Sequence, residues 1–417
     1  MTRHLLHLMW NRKRQNLLLT LEILLSFAVL FVVVYFVALN AYFYWQPLGF
    51  NPDRVWVIEV RYPDSGPIRQ GDATPEVTAR RAIAAQRFDQ IRRALATLPN
   101  VEKSTASWPG AIYENGGWRS GLGPAESSSW INVAGDDFAD VLGIRIVSGR
   151  WFSRQDDGAG YQPIVVNRRL AKALFGDRDP LNQVVEFARK DDNNSSPMRV
   201  VGVVDEFRQG GEFGAPTNYS FLRLDLNDPP KGTLPNNLTI KVTPGTTAEF
   251  EAQLVETLQP IAPDWTFDVR SAESRRETLA SRSLGPLAAM GILAVFLLLM
   301  VGLGLTGVVW QSVTARIQEF GLRRAKGATA RDVRRQVLTE LALMTTLAIS
   351  VALVVLVQVP VLATMPSLIE LPMIPLSVYV SSVAISVAVI YLVTLLCGWY
   401  PSRLATRIQP AEALHYE

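Results

Sequence analysis

Cysteine and histidine are almost absent from this 417-residue sequence, which holds 1 cysteine and 3 histidines. A single cysteine excludes an intrachain disulfide, and the sequence has no Cys or His cluster with the spacing of a metal site. Cys397 stands in an apolar run, where we interpret it as a small packing residue of a helix. His4, His7 and His415 all lie near the two ends of the sequence. No metal-dependent chemistry is therefore predicted.

Catalytic motifs are missing as well. The sequence has no G-x-x-x-x-G-K-[ST] phosphate-binding loop and no G-x-S-x-G turn, so neither ATP hydrolysis by that route nor a hydrolase site is predicted. Asp156-Asp157 and Asp191-Asp192 are interpreted as solvated loop acids rather than a catalytic pair. The net charge of +3, without a basic stripe, gives no sign of a nucleic-acid partner. We expect no enzymatic activity and no bound cofactor in this chain.

Charged residues make up only 19% of the sequence, against roughly a quarter in an average soluble protein. The deficit is concentrated in apolar windows, each longer than the roughly 20 helical residues that cross a bilayer core. The first window ends in the aromatic residues Tyr42 to Trp45, which are typical of a membrane interface and not of a signal-peptide cleavage site. Transmembrane helices are predicted at 17–44, 284–313, 337–363 and 376–399.

The basic residues near these windows are distributed unequally. Lysines and arginines precede the first window, fill the connection between the second and third, and follow the fourth, whereas residues 364–375 contain none. The positive-inside rule therefore places both ends of the sequence and the second-to-third connection in the cytoplasm. The long segment between the first and second windows is then extracytoplasmic.

Two features inside the windows are candidates for more than membrane anchoring. Glu22 is an intramembrane carboxylate, but its proximity to Arg12 and Arg14 favours snorkelling to the interface over a functional role. The second window contains several glycines, which either permit close helix contacts or are simply frequent in membrane helices. These glycines are Gly291, Gly302, Gly304 and Gly307.

The extracytoplasmic segment alternates short apolar runs with amphipathic helices, which predicts an α+β domain of two lobes. Strands are predicted at 55–61 and 198–204, the latter central, and a helix at 168–175. A short helix is predicted to begin at a cap formed by Asp136 or Asp137. The Gly- and Pro-rich stretches 113–129 and 210–218 and the polar tip 190–196 are predicted to be exposed loops.

A polar run without glycine or proline, residues 272–283, directly precedes the second window. Because it is rich in helix formers, we predict that the second transmembrane helix continues outward through it. The first transmembrane helix is predicted to project past the headgroups as well. The two projections would form a stalk between membrane and domain.

Three stretches resemble the MacB/FtsX-like permease family of ABC transporters, the type VII or mechanotransmission group. They are ARIQEFGLRRAKGATARDVRRQVLTE at 315–340, the external runs VAGDDFADVLGIRIVSGRWFS, PIVVNRRLAKALFGDRDPLNQ and VVGVVDEFR, and the ending YPSRLATRIQPAEALHYE. One departure is Leu181-Asn182-Gln183, where the family commonly has Gly in the middle position. A larger one is that MacB proteins proper carry a fused ATPase, whereas the first window here begins at Leu17.

The resemblance implies a permease subunit whose motion is driven by ATP and Mg in a separate ABC ATPase subunit. It implies a dimer with a second copy or a paralogue, embedded in the lipid of the bacterial inner membrane with the large domain in the periplasm. A periplasmic membrane-fusion adaptor and an outer-membrane channel are further implied partners. The ATPase-coupling residues are predicted in the second-to-third connection, with Phe320 and Leu322 as apolar knobs. The predicted coupling residues are Glu319, Phe320, Gly321, Leu322, Arg323, Arg324, Lys326 and Gly327.

The resulting domain organisation is a membrane α-helical protein with an inserted α+β extracytoplasmic domain. The cytoplasmic parts are predicted to be an N-terminal segment, a coupling segment and a C-terminal tail, at 1–16, 314–336 and 400–417. The first helix with its stalk, the periplasmic core domain and the second stalk with its helix are predicted at 17–45, 46–271 and 272–313. The remaining helices and the short periplasmic loop between them are predicted at 337–363, 376–399 and 364–375.

Three functions remain open at this point. The first is export or efflux of a substrate from the periplasm or inner membrane. The second is FtsX-like regulation of a periplasmic partner, against which the size of the external domain argues. The third is extraction of lipoproteins from the membrane.

Overall fold

A computed structural model describes residues 13–62, 75–114, 117–124, 126–188, 197–224, 234–316, 322, 327–358 and 375–405. The chain divides into two compact units, of which one combines Met1–Tyr42 with Leu284–Glu417 and the other is Phe43–Ser283. We call the first the helical unit and the second the inserted domain.

The helices and strands are numbered here in chain order. The helices are α1 (Lys13–Tyr44), α2 (Pro75–Thr97), α3 (Phe138–Leu142), α4 (Arg168–Phe175), α5 (Glu249–Leu258), α6 (Ala272–Thr314), α7 (Ala330–Leu356) and α8 (Leu376–Ala405). The strands are β1 (Val55–Arg61), β2 (Val101–Trp108), β3 (Trp118–Leu122), β4 (Ser127–Ala134), β5 (Ile146–Gly149), β6 (Gln162–Asn167), β7 (Val184–Val185), β8 (Met198–Val204), β9 (Tyr219–Arg223), β10 (Asn237–Val242) and β11 (Thr266–Ser271).

The helical unit contains the predicted membrane helices: in the described residues, 4 helices are long and apolar enough to cross a membrane, and they are α1, α6, α7 and α8. All of them contribute to one buried cluster, in which Phe27, Leu305, Ala348 and Ile390 each represent one helix. Their outward faces are apolar and exposed, as at Leu303, which suits contact with lipid.

Glycine permits two close contacts of α6 within this unit. A Cβ at Gly304 would collide with the carboxylate of Glu22 on α1, and one at Gly302 would lie 3.3 Å from Sγ of Cys397 on α8. Gly291 and Gly307 face open space. Close contacts within this chain are therefore found at Gly302 and Gly304, and none is found at Gly291 and Gly307 among the described residues.

The inserted domain is built on an 11-stranded mixed sheet. The main order is β11-β1-β10-β2-β4-β9-β6-β8-β5, and in addition β3 pairs with β4 and β7 with β8. Helices α2 and α5 cover one face of the first strands, where Phe88, Ile91 and Leu254 pack on Ile58 and Ile240. Helix α4 packs with the later strands around Leu170 in a separate cluster. Only two residue pairs, Ser107 with Ala134 and Trp108 with Val133, join β2 to β4. The predicted α+β domain of two lobes is confirmed, with the sheet shared between the lobes.

Local sequence signals located several elements correctly. Strand β1 and helix α4 begin and end at the predicted residues. The side chain of Asn167 caps α4 by accepting the N–H of Leu170 at 2.9 Å, as a helix start requires. Asn182 adopts a φ of 61°, a left-handed conformation that asparagine tolerates better than most other residues.

Four expectations for the domain are corrected. Residues 113–129 are not simply a loop, because they contain β3 and the start of β4, which pair as a hairpin. Residues 210–218 are not exposed: Gly211 and Glu212 are buried. Strand β8 is not central, since only β5 and β7 lie beyond it. Asp137 is the N-cap residue of α3, as predicted, but its side chain makes no capping hydrogen bond. The predicted tip at 190–196 lies outside the described residues.

Candidate functional site

The predicted coupling segment falls mostly outside the described residues. Leu322 and Gly327 are described, whereas Glu319, Phe320, Gly321, Arg323, Arg324 and Lys326 are not. Leu322 is helical and 52% exposed, so its side chain is available to a partner. Gly327 has a φ of 99°, a left-handed conformation that favours glycine in the turn before α7.

The two ends of this segment are held together by a buried ion pair. Nη1 of Arg316, just after α6, lies 2.7 Å from Oε2 of Glu340 on α7, and the two side chains are 8% and 14% exposed. In the same part of the two helices, Val309 and Val313 of α6 form a buried cluster with Val333, Val337 and Leu341 of α7. The segment is thus anchored on both sides to one small cluster.

The start of α7 is fixed by its own sequence. Thr329 and Asp332 form a reciprocal capping box, in which the Asp332 carboxylate accepts the Thr329 N–H at 3.0 Å. One turn later, the Arg334 guanidinium lies 5.1 Å from the ring centroid of Trp399 on α8. The sequence analysis singled out Glu22 and missed Glu340, although Glu340 also lies in an apolar window. The signal that could have identified it is Arg316, a basic residue at the end of the preceding helix that can form an ion pair with it.

A second group of functional candidates lies in the inserted domain and was not predicted. Residues 206–214, which follow β8, form a segment that we call the clamp loop. Arg208 in this loop is 2% exposed. Its guanidinium donates to the carbonyl of Gln46 at 2.8 Å, of Glu212 at 2.6 Å and of Gly214 at 2.7 and 3.0 Å. Gln46 belongs to the chain that has just left α1, so Arg208 ties the end of α1 to the clamp loop.

Further contacts strengthen this attachment. The backbone N–H of Arg208 donates to the carbonyl of Leu48 at 2.9 Å. Gly49 has a φ of 82° and lies so close to the carbonyl oxygen of Glu206 that a Cβ would collide with it. The ring of Tyr44 packs on Phe213 at a centroid distance of 5.9 Å.

The same loop holds the beginning of α6. The Glu212 carboxylate accepts from Nε of Arg276 at 2.6 Å and from the Tyr113 hydroxyl at 3.4 Å. Leu279 lies beside Gly211 and is buried with Tyr113 in a core cluster of the domain. The first turns of α6 are therefore part of the domain's core rather than a free stalk.

Burial governs the ionisation of this region. It lowers the pKa of Arg208, while Glu206 and Glu212 act in the opposite direction. Burial also raises the pKa of Tyr113, to which the neighbouring charge of Glu212 adds. Since an arginine remains protonated in proteins, the clamp loop carries a permanent buried charge whose partners are carbonyl oxygens.

The acidic pair Asp156–Asp157 is engaged with arginines. Asp156 is buried and accepts both terminal nitrogens of Arg150, at 2.5 and 2.7 Å. Asp157 pairs with Arg223 at 2.6 Å. The interpretation as solvated loop acids is wrong for Asp156, whose side chain is buried, and holds for Asp157, whose side chain is 59% exposed. Asp191-Asp192 lies outside the described residues. Within the described part of the chain, no group of three or more His, Cys, Asp or Glu could hold a metal.

Both units of the chain match known protein families. Residues 23–257 match the MacB-like periplasmic core domain family, and residues 291–410 match the FtsX-like permease C-terminal family. A macrolide export ATP-binding/permease protein MacB 1/2 of Paracoccus denitrificans is 29% identical over 67% of this chain and 39% of its own length. MacB 2 of Aeromonas hydrophila is 27% identical over 70% of this chain and 44% of its own length.

The periplasmic region of MacB from Actinobacillus actinomycetemcomitans, a crystal structure, is 17% identical and covers 55% of this chain and 94% of its own, with a TM-score of 0.37. The chain spans less than half of the length of these two curated relatives. The periplasmic core match alone covers more than half of this sequence, and the permease match follows it in the expected order. The chain therefore belongs to the MacB/FtsX-like family of ABC transporter permeases.

Proposed function

We propose that this permease relays the work of a separate ABC ATPase to its periplasmic domain and thereby drives export of a substrate. ATP and Mg bind to the ATPase subunit, and this chain acts as one half of a dimer in the bacterial inner membrane. The similarity to macrolide export proteins supports the export role.

The observation that carries this proposal is the continuity of α6. The helix runs for 43 residues, from Ala272 to Thr314, a length of roughly 65 Å. Ala272 and Leu279 at its start are buried in the core of the inserted domain. Arg316, just beyond its last turn, forms the ion pair that anchors the coupling segment. A continuous helix with these two ends supports the proposed relay of motion.

The coupling segment is the proposed docking site for the ATPase. Its sequence combines Glu319, the apolar pair Phe320 and Leu322, and the basic residues Arg323 and Arg324. The exposed side chain of Leu322 supports an apolar contact, with the basic residues at its rim. The work of ATP would reach the permease through this contact.

The test is the double variant Phe320→Ala/Leu322→Ala, purified in mild detergent with its ATPase. Two buried apolar anchors contribute about 1.5–3 kcal/mol each, so the variant should insert normally but lose the ATPase on purification. Reversing the charges of Arg323 and Arg324 should weaken docking less, since rim charges contribute modestly.

A matched control is Ile146→Ala/Val147→Ala, which removes two exposed apolar side chains from strand β5 of the inserted domain. The control should retain its ATPase. If the Phe320→Ala/Leu322→Ala variant keeps a stoichiometric ATPase and full ATP-driven activity, the segment is not the docking site.

A further inference from the structure

The ion pair between Arg316 and Glu340 joins the end of α6 to the third turn of α7. Nη1 of Arg316 and Oε2 of Glu340 lie 2.7 Å apart, and the two side chains are only 8% and 14% exposed. We call this contact the α6–α7 ion pair. Both of its partners are withdrawn from solvent, so the contact is little weakened by water or salt.

Stability alone does not explain the α6–α7 ion pair. Removing two charges from water costs about as much free energy as their attraction returns, so an apolar pair of similar volume would stabilise the fold as well. Apolar contacts already join the same two helices, through the cluster of Val309, Val313, Val333, Val337 and Leu341. What the ion pair adds to this packing is a contact of fixed direction.

Hydrogen bonds hold both partners of the α6–α7 ion pair in place. Oε2 of Glu340 contacts Arg316, and its Oε1 accepts from Nε2 of Gln336, one turn earlier on α7, at 3.4 Å. The backbone N–H of Arg316 donates to the carbonyl of Val313 at 3.1 Å, which keeps the arginine at the last turn of α6. Because charge-assisted hydrogen bonds are short and directional, the end of α6 is fixed in a defined position against α7.

The α6–α7 ion pair also closes the connection in which the coupling segment lies. The chain leaves α6 at Arg316 and enters α7 at Thr329, whose capping box with Asp332 begins the helix. Since the ion pair fixes the two ends of this connection to each other, a force on the connection moves α6 and α7 together rather than apart. Helix α6 then continues to Ala272 in the core of the inserted domain.

We propose that Arg316 and Glu340 are positioning residues that couple the ATPase to α6. Their ion pair holds the ends of α6 and α7 together while the ATPase acts on the coupling segment. This inference rests on the proposed function, in which the ATPase docks on that segment. It separates two properties of the permease: Phe320 and Leu322 determine whether the ATPase is bound, and the α6–α7 ion pair determines how much of its work arrives at the inserted domain.

The test uses the full chain with its ATPase in lipid nanodiscs and follows α6 at its other end. In a Cys397→Ser background, Arg282→Cys provides an exposed position on α6 for a bimane fluorophore. This position lies about 50 Å along the helix from Arg316. Addition of ATP, Mg and vanadate should change the bimane fluorescence of this reference chain.

Glu340→Gln keeps the shape of the side chain and removes its charge. In the reference chain it should leave the ATPase bound in unaltered stoichiometry, while the fluorescence change falls at least about fivefold, the lower end of usual allosteric coupling. Arg316→Gln should act in the same way. The double variant Arg316→Gln/Glu340→Gln should lose no more than the worse single variant, because two residues that act as one unit are not additive. It also leaves no unpaired buried charge, so it keeps the test valid where a single variant fails to fold.

A matched control is Val333→Ala, which removes apolar contact between the same two helices and leaves the ion pair intact. Val333 is 2% exposed. Its replacement should lower the temperature of thermal unfolding but keep the fluorescence change, which a merely structural role of the ion pair would not allow.

The inference is overturned if the double variant keeps the full fluorescence change, or if Val333→Ala loses the change to the same extent. Loss of the ATPase from the double variant would also overturn it, because the ion pair would then belong to docking. A reference chain that binds its ATPase without any ATP-dependent change overturns the proposed relay itself, so failure of the inference and failure of the proposed function are recognised separately.

Discussion

Arg208 shows how a single residue carries a positive charge into the interior of a domain. The side-chain hydrogen bonds of its guanidinium go to carbonyl oxygens that belong to the clamp loop and to the chain after α1. A planar guanidinium presents its five donors in a fixed fork, which suits several carbonyls at once. An ammonium group could serve only part of this set.

The replacement Arg208→Lys should therefore destabilise the inserted domain by about 2–3 kcal/mol, because carbonyls are left unpaired while the charge stays buried. Thermal unfolding of the detergent-solubilised chain measures this change. Arg154→Lys, at an exposed position, is the matched control and should unfold like the unaltered protein. If the Arg208→Lys protein is as stable as this control, the positive charge alone stabilises the clamp loop and the several donors of the guanidinium are not required.

Asp156 gives the domain a dependence on pH. Burial opposes its ionisation, but the hydrogen bonds from Arg150 and from the backbone of Ser153 prevail, so its pKa lies below the ordinary value. A carboxyl with a lowered pKa in the fold stabilises the protein above its unfolded pKa of about 4, and this contribution is lost as the pH falls through the folded value.

We expect the unfolding free energy of the chain to fall on acidification below about pH 4, and less so for Asp156→Asn. At pH 7 this substitution should cost about 1.5–3 kcal/mol, the contribution of hydrogen bonds to a charged group. Chemical unfolding at several pH values measures both effects. The exposed Asp177→Asn serves as control, and equal acid sensitivity of Asp156→Asn and the unaltered chain would contradict the assignment.

At the scale of elements, the single helix α6 lies partly in the core of the inserted domain and partly in the helical unit. Its first turns are buried in the domain, at Ala272 and Leu279, and its later turns expose apolar residues such as Leu299 and Leu303. Pro286 lies inside the helix, just beyond the packed turns. The helix therefore already tolerates the backbone hydrogen bond that Pro286 cannot donate. A second proline nearer the start of α6 would lie within the turns that pack on the domain.

Thr278→Pro should remove a backbone hydrogen bond and kink α6 within the turns that pack on the domain, at a cost of about 3 kcal/mol. Transport should fall while ATPase binding persists, since the coupling segment is untouched. Thr278→Ala is the control, because it removes only the side-chain bond to the carbonyl of Ser274, at 2.9 Å. Unchanged transport in Thr278→Pro would mean that motion does not travel along this helix.

Elements whose signals are local could be predicted from the sequence. The apolar run from Val55 to Ile58, and the cap of Asn167 before α4, depend only on neighbouring residues. The glycine-rich stretches were misjudged, because composition indicates a loop but not what covers it. Gly211 is buried by Tyr113 and Leu279, which lie far away in the sequence.

The candidate sites divide in the same way. The coupling segment was identified from its sequence, and its residues remain a prediction apart from the geometry of Leu322 and Gly327. The clamp loop could not be found, because the role of Arg208 depends on the carbonyl of Gln46, 162 residues earlier in the chain. No periodicity or motif spacing reports such a contact.

At the scale of the whole molecule, the order of the elements implies one topology. Four apolar helices and a periplasmic-type domain between the first two fit a protein with both ends in the cytoplasm. In a Cys397→Ser background, Thr247→Cys should react with an impermeant maleimide on intact spheroplasts, and Ala328→Cys only after permeabilisation. Thr247 is exposed in the inserted domain, so its accessibility is set by topology. Equal labelling of the two would contradict the four-helix arrangement.

The clamp loop also bears on how such proteins diversify. Arg208 binds the carbonyl of Gln46, where the chain enters the domain. Glu212, four residues later in the clamp loop, pairs with Arg276, where the chain leaves it. The two crossing points thus lie side by side, the condition under which insertion of one domain into another is tolerated. A domain bounded in this way behaves as a cassette. Lineages can enlarge it, trim it or exchange it while the helices and their coupling segment stay as they are.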